Sequence, residues 1–176
     1  MKRHVALIGF MAAGKTTIGR QLARRLGCGF YDTDAIVVRE HGPIASIFSA
    51  HGESAFRTFE SAAIERALSE ELPSIVALGG GALTSAENRA RVDARAHSVF
   101  LKMSPERIFA RVQSGDRRRP MLGPEPTLES IASLYEARLE HYECADHIVD
   151  AERLGDRAIV ENIVAWLNER NITFPQ

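Results

Sequence analysis

The chain has 176 residues, of which 45% are hydrophobic and 26% charged, proportions that fit one soluble globular domain with a single sizeable core. Its 22 basic and 23 acidic residues leave a net charge of −1, which excludes a global attraction to nucleic acid or to an anionic membrane. Any anion must therefore be met locally, by placed arginines. Cys28 and Cys144 show neither CxxC nor zinc-type spacing and read as free thiols of a reducing cytosol.

Met1-Lys2-Arg3 is basic, but the apolar stretch 5–8 behind it is too short for a signal-peptide core of about 7–15 residues. No apolar run approaches the ~20 residues of a membrane span. A cytoplasmic protein is expected. Residues 5–8 read as a strand that leads straight into Gly9-Phe10-Met11-Ala12-Ala13-Gly14-Lys15-Thr16, a G-x-x-x-x-G-K-[ST] loop, and then into a helix over 16–26. Such a loop wraps closely enough for backbone N–H groups to point at phosphate oxygens, and the following helix adds its positive end. Lys15 is then placed to bridge β- and γ-phosphates, and the Thr16 hydroxyl to ligate Mg²⁺.

A second short strand, 30–31, runs into Asp32-Thr33-Asp34. Strand alternation predicts both carboxylates on one side, in the crevice, where one serves the magnesium hydration shell and the other accepts a proton. The alternative for Asp34 is the N-cap of the next helix. A helix over 55–72 puts Arg57 on one face with Ile64 and Leu68, with Glu60 one turn on to orient it. The strand 74–78 ends in Gly79-Gly80-Gly81, which permits close backbone approach to a ligand and leaves amides free to donate.

Thr84-Ser85-Ala86-Glu87 reads as a capping box opening a helix over 86–96. A strand over 98–103 follows, and Ser104-Pro105-Glu106 starts a helix over 106–113. The basic, proline-rich stretch 112–126 reads as a lid that excludes water from the γ-phosphate, with Arg119 as its charge-stabilising finger and Arg117 and Arg118 solvated. Along the helix 128–144 the stripe Ile131, Leu134, Tyr135, Arg138, Tyr142 faces the core, so Arg138 needs an anionic partner there. With Arg57 it implies an anionic acceptor. A strand at 147–149 and a helix over 156–170 complete the chain.

Short continuous apolar strands alternating with helices predict an α/β doubly wound fold, a five-stranded parallel sheet covered on both faces, with ligands at the strands' carboxyl ends. One P-loop kinase domain over 1–176 is expected, with a substrate-binding helical region at about 35–61.

The sequence resembles the shikimate kinase family from Gly9 to about Arg153. The likeness rests on residues 9–17, Asp32-x-Asp34, Gly52-Glu53-x-x-Phe56-Arg57-x-x-Glu60, Gly79-Gly80-Gly81, Arg119-Pro120-x-Leu122 and Arg138-x-x-x-Tyr142. The resemblance implies phosphorylation of the shikimate 3-hydroxyl by ATP, the fifth step toward chorismate. It implies that Asp34 is the base, that Arg57 and Arg138 grip the substrate carboxylate, and that Gly79, Gly80 and Gly81 line the pocket, with Gly80 donating its amide. Ala12, Ala13, Gly14, Lys15, Thr16 and Thr17 would hold the nucleotide. Thr16 would ligate Mg²⁺ directly, Asp32 through water, and Arg119 would close over the phosphates. Two positions depart from the family: Ala12 stands where glycine is usual, tolerable if φ stays negative, and no proline follows the last strand to meet adenine. Arg111 and Arg153 are the purine contacts expected instead.

A gluconate kinase-like enzyme is the nearest rival, since its acceptor is also a hydroxylated carboxylate; the Arg57-x-x-Glu60 pattern and the glycine triplet favour shikimate. A nucleotide kinase lacks support because no Asp-Gly-Phe-Pro-Arg stretch is present, and a GTPase switch lacks the guanine-reading Asn-Lys-x-Asp. The expected partners are small molecules, ATP and the acceptor, bound by a monomer.

Overall fold

The structure, a computed structural model, describes residues 2–114, 120–123 and 125–174. Five strands, β1 (His4–Ile8), β2 (Gly29–Asp32), β3 (Ser74–Ala77), β4 (Ala96–Lys102) and β5 (His147–Asp150), form one parallel sheet in the order β2-β3-β1-β4-β5. All five residues of β1 and all four of β3 are buried, whichever way their side chains point. Both sheet faces are therefore covered, which is why these strands read as unbroken apolar runs rather than alternating ones.

The covering helices are α1 (Lys15–Leu26), α2 (Thr33–His41), α3 (Ile44–Leu68), α4 (Ala86–Arg95), α5 (Pro105–Gln113), α6 (Leu128–Glu143) and α7 (Asp156–Glu169). Helix α1 packs on β3 and α7, α3 on α4, α4 on β4 and α5 on α6. Local signals explain most of the ends. Ser104 Oγ accepts from Arg107 N, with Pro105 in the first turn of α5. Gly27, at φ +68, closes α1 in the left-handed region that glycine adopts without penalty.

Three sequence expectations need correction. The capping box at 84–87 is absent: Ser85, one residue later, caps α4 by accepting from Asn88 N. A reciprocal box does occur at α6, between Thr127 and Ser130. The helix expected over 55–72 is the second part of α3, which follows the break in helical dihedrals at Gly52 (φ 78, ψ 176) and ends at Leu68. That backbone region is essentially open to glycine alone. The predicted strand over 30–31 carries no alternation into Asp34, because β2 ends at Asp32 and the chain turns at once into α2.

Among the described residues no helix is long and apolar enough to cross a membrane. Of the expected lid, Pro120–Leu122 form a short 3-10 turn whose Leu122 is buried, while Arg117, Arg118 and Arg119 lie outside the described residues.

Candidate active site

The carboxyl ends of β1, β2 and β3 open onto one cavity of about 370 Å³. Its wall contains Ala12, Gly14, Lys15, Thr16 and Thr17 from the loop after β1, and Asp32 and Asp34 from the end of β2 and the start of α2. Met11, Leu78, Gly80 and Arg111 complete most of the rest.

The loop is shaped by backbone, not by a side-chain cap. Gly14 sits at φ +97 where α1 begins, and no side chain occupies the helix's N-terminal amides. Those amides and the helix's positive end face the space an anion would fill. Ala12 adopts φ +64, against the expectation that its methyl would be accommodated at negative φ. Left-handed backbone costs an L-residue roughly 1–2 kcal/mol, so the loop conformation is held by its surroundings. One such hold is visible: Arg111 Nη1 donates to the Ala12 carbonyl at 3.0 Å. Lys15 Nζ donates to the Gly9 and Phe10 carbonyls at 2.7 and 2.8 Å, which folds its ammonium back over the loop.

Asp32 and Asp34 do share the cavity, though not by strand alternation. Asp32, the last residue of β2, caps α2 by accepting from Ala35 N at 3.2 Å, so the cap is Asp32 rather than Asp34. Its other carboxylate oxygen accepts from the Thr16 hydroxyl at 2.6 Å. A hydroxyl and a carboxylate in contact are the hard oxygen donors that Mg²⁺ prefers, and the hydroxyl keeps its lone pairs while donating to Asp32. The donor set therefore fits the ion. Asp34 lies in the first turn of α2 and points at the glycine triplet, where a Cβ on Gly79 would stand 2.8 Å from Asp34 Oδ1.

That triplet is where the residues expected to meet the acceptor converge. A Cβ on Gly79 would also collide with Glu60 Oε1, and one on Gly81 would lie 2.6 Å from both terminal nitrogens of Arg57. A Cβ on Gly80 would stand 3.0 Å from the Met11 amide nitrogen, so this turn is pressed against the phosphate loop. Arg57 donates to Glu60 at 2.7 Å and to Glu53 at 3.0 Å, and reaches Met121 Sδ at 3.9 Å. Arg138, 4% exposed, donates from Nη1 to the Gly80 carbonyl at 3.1 Å and lies over the Phe10 ring.

Burial pushes the Glu60 carboxyl up, and the Arg57 and Arg138 guanidiniums only partly oppose it while Asp34 adds to it. Arg57 is raised as well: burial opposes its charge, but Glu60 and Glu53 outweigh that cost and hold the guanidinium charged. Arg57 thus stays charged while burial disfavours the charge on Glu60, which suits an incoming anion.

Other expected residues sit elsewhere. Ala13, within the loop itself, is buried and is not in the cavity wall. Arg153 is not in the cavity wall; its side chain is 86% exposed and pairs with Asp150 at 3.4 Å. The role of Thr33 went unread in the sequence, and Tyr142 was read only as a core-facing residue of its helix and a member of the Arg138-x-x-x-Tyr142 pattern. Buried Thr33 donates to the Ala77 carbonyl and accepts from Gly79 N at 3.1 Å, tying the end of β2 to the turn after β3. The Tyr142 hydroxyl donates to the Gly80 carbonyl beside Arg138. Only its helical spacing from Arg138 hinted at that.

A parallel sheet of this order, with a phosphate loop after its middle strand, is the architecture of the P-loop kinases. Comparison narrows the class. The "Shikimate kinase" family model matches residues 11–168. A shikimate kinase of Dechloromonas aromatica is 39% identical over 169 residues, covering 95% of this chain and 91% of the relative. One of Geobacter sulfurreducens is 40% identical over 168 residues, covering 95% and 92%. The solved structure of Acinetobacter baumannii shikimate kinase in complex with shikimate superposes with a TM-score of 0.90 at 31% identity, covering 98% of this chain and 97% of that one. The chain belongs to the shikimate kinase family.

Proposed function

We propose that this protein transfers the γ-phosphoryl group of ATP to the 3-hydroxyl of shikimate, giving shikimate 3-phosphate and ADP. The observation that carries the reading is one cavity with a phosphate loop on one side and Asp34 and Gly80 on the other, while Arg57 and Arg138, outside its wall, stand against Gly81 and Gly80 of the same turn. Relatives at 39–40% identity over nearly the whole chain carry the same name.

The chemistry follows from the placement. The acceptor carboxylate meets Arg57 and Arg138, whose planar forks suit it, and Glu60 and Glu53 hold Arg57 charged. That grip sets the 3-hydroxyl near Asp34, which takes the proton as the hydroxyl oxygen attacks the γ-phosphorus. The bond to the β-phosphate oxygen breaks and ADP leaves. Lys15 and the amides at the start of α1 meet the charge on the phosphates. Thr16 and, through water, Asp32 are the residues that would hold Mg²⁺, which when bound neutralises phosphate charge.

Ala12, Gly14 and Thr17 line the nucleotide side, and Arg111, the purine contact of this reading, stands in the same wall. The stretch 112–126 serves as a lid bringing Arg119 over the phosphates, and residues 35–61 as the substrate-binding helices. The protein works as a cytoplasmic monomer.

A coupled assay of ADP release with ATP and an acceptor panel tests the assignment. Shikimate is expected to support turnover and gluconate to support none. Turnover with gluconate at equal or greater kcat/KM would overturn it.

A further inference from the structure

Arg138 and Tyr142 lie one turn apart on the buried stripe of α6, and both donate to the same atom. Arg138 Nη1 reaches the Gly80 carbonyl oxygen at 3.1 Å, and the Tyr142 hydroxyl, next to the guanidinium, donates to the same oxygen. A carbonyl has two lone pairs, so both bonds are made at once. Tyr142 is 2% exposed, its ring packed 5.1 Å from Phe100 and 6.5 Å from Tyr135. Burial pushes its hydroxyl up to about 12, so it remains a donor throughout the pH range in which the protein works.

The double acceptor has a consequence for Arg138. Its guanidinium is itself buried, and Gly80 lines the cavity. If Arg138 were the sole donor, each turn of the guanidinium toward a ligand would leave the half-buried Gly80 carbonyl without a protein donor, and Gly80 would compete with the ligand for the same N–H. A second donor on Gly80 removes that conflict.

We infer that Tyr142 is a positioning residue for the acceptor side, whose hydroxyl satisfies the Gly80 carbonyl and so frees the Arg138 guanidinium for an anionic acceptor. The inference rests on the reading of that acceptor as a hydroxylated carboxylate. The plainer role, a core tyrosine whose hydroxyl has merely found a partner, makes a different prediction: melting would shift, and ligand selectivity would not.

The test is Tyr142→Phe, which keeps the ring and deletes the donor. Binding of shikimate, of its neutral hydroxymethyl analogue and of ATP is measured calorimetrically on wild type and variant, with a thermal melt of each. The shikimate Kd is expected to rise about 2- to 10-fold, the effect of one hydrogen bond, while the neutral analogue and ATP bind as before. In an Arg138→Ala background, adding Tyr142→Phe should leave the shikimate Kd where it was. The ratio of acid to neutral affinity is read within one protein, so a lowered melting point does not disturb it. An unchanged shikimate Kd, an equal loss for acid and neutral ligands, or a variant without a cooperative melt overturns the role of Tyr142. Failure of the wild type itself to bind shikimate overturns the acceptor reading beneath it.

Discussion

At position 12 a methyl group sits at φ +64, in backbone space where glycine is at home. The strain of roughly 1–2 kcal/mol is offset in part by the lower chain entropy of alanine in the unfolded state, about 0.4–1 kcal/mol. Ala12→Gly should therefore stabilise the protein slightly, raising the melting temperature by about 1–4 °C for a chain of this size. A lower melting temperature would mean that Ala12 is not left-handed. The carboxylates show how far single residues were legible. Asp32 and Asp34 stood out because two acids after a short strand beside a phosphate loop have few bland uses. Their geometry was misread, since both share the cavity through a strand-to-helix turn, with Asp32 as the cap. Arg111 was visible as a base near the site, but its bond to the Ala12 carbonyl spans 99 residues and leaves no trace in local spacing.

At the scale of elements, β3 and α3 build the acceptor side by close approach. Gly81 has φ −105, so a larger residue there meets no backbone penalty, only the Arg57 guanidinium 2.6 Å from the new Cβ. Gly81→Ala should displace Arg57, raising the KM for shikimate about tenfold or more while leaving the KM for ATP nearly unchanged. Steady-state kinetics with each substrate varied in turn checks this, and parallel rises in both would refute it. The central strands β1, β3 and β4 were legible because burial on both faces makes them largely apolar, whereas the edge strands β2 and β5 are partly exposed and left only two or three apolar residues as a signal. Helix α2 was not. Its sequence carries adjacent Ile36, Val37 and Val38 and no clean 3.6-residue stripe, and it is held instead by the Asp32 cap and by His41 stacked on Phe59 of α3, ring centroids 3.7 Å apart.

Across the whole molecule, stability is coupled to pH through a histidine far from the chemistry. His4 of β1 is fully buried; its Nδ1 lies 2.9 Å from Ser74 Oγ in β3, and its Nε2 has no hydrogen-bond partner among the described residues. Burial, aided by Arg3 and Arg95, pushes its pKa below the ordinary 6.5. The unfolded chain therefore takes up a proton on cooling pH before the folded one does. The stabilisation is complete above 6.5 and is lost as pH falls through the lower folded value. Half-buried His97 shifts in the same direction. Wild-type melting temperature should fall with acidification below 6.5 more steeply than that of His4→Asn, which does not titrate. Parallel curves would contradict the assignment.

The central claim is that Arg57 and Arg138 hold the carboxylate of the acceptor. Arg57→Ala tests it most directly, with shikimate and its neutral hydroxymethyl analogue compared on wild type and variant. Removing one partner of a buried charge pair typically costs about 2–5 kcal/mol, so shikimate binding should weaken by well over tenfold while ATP binding barely moves. The neutral analogue should bind wild type poorly and lose little more on mutation. That comparison controls for the loss of Arg57 from its 2.7 Å pair with buried Glu60, which affects both ligands alike. Equal losses for the acid and the neutral analogue would mean that Arg57 only supports the helix, and the carboxylate grip would be refuted.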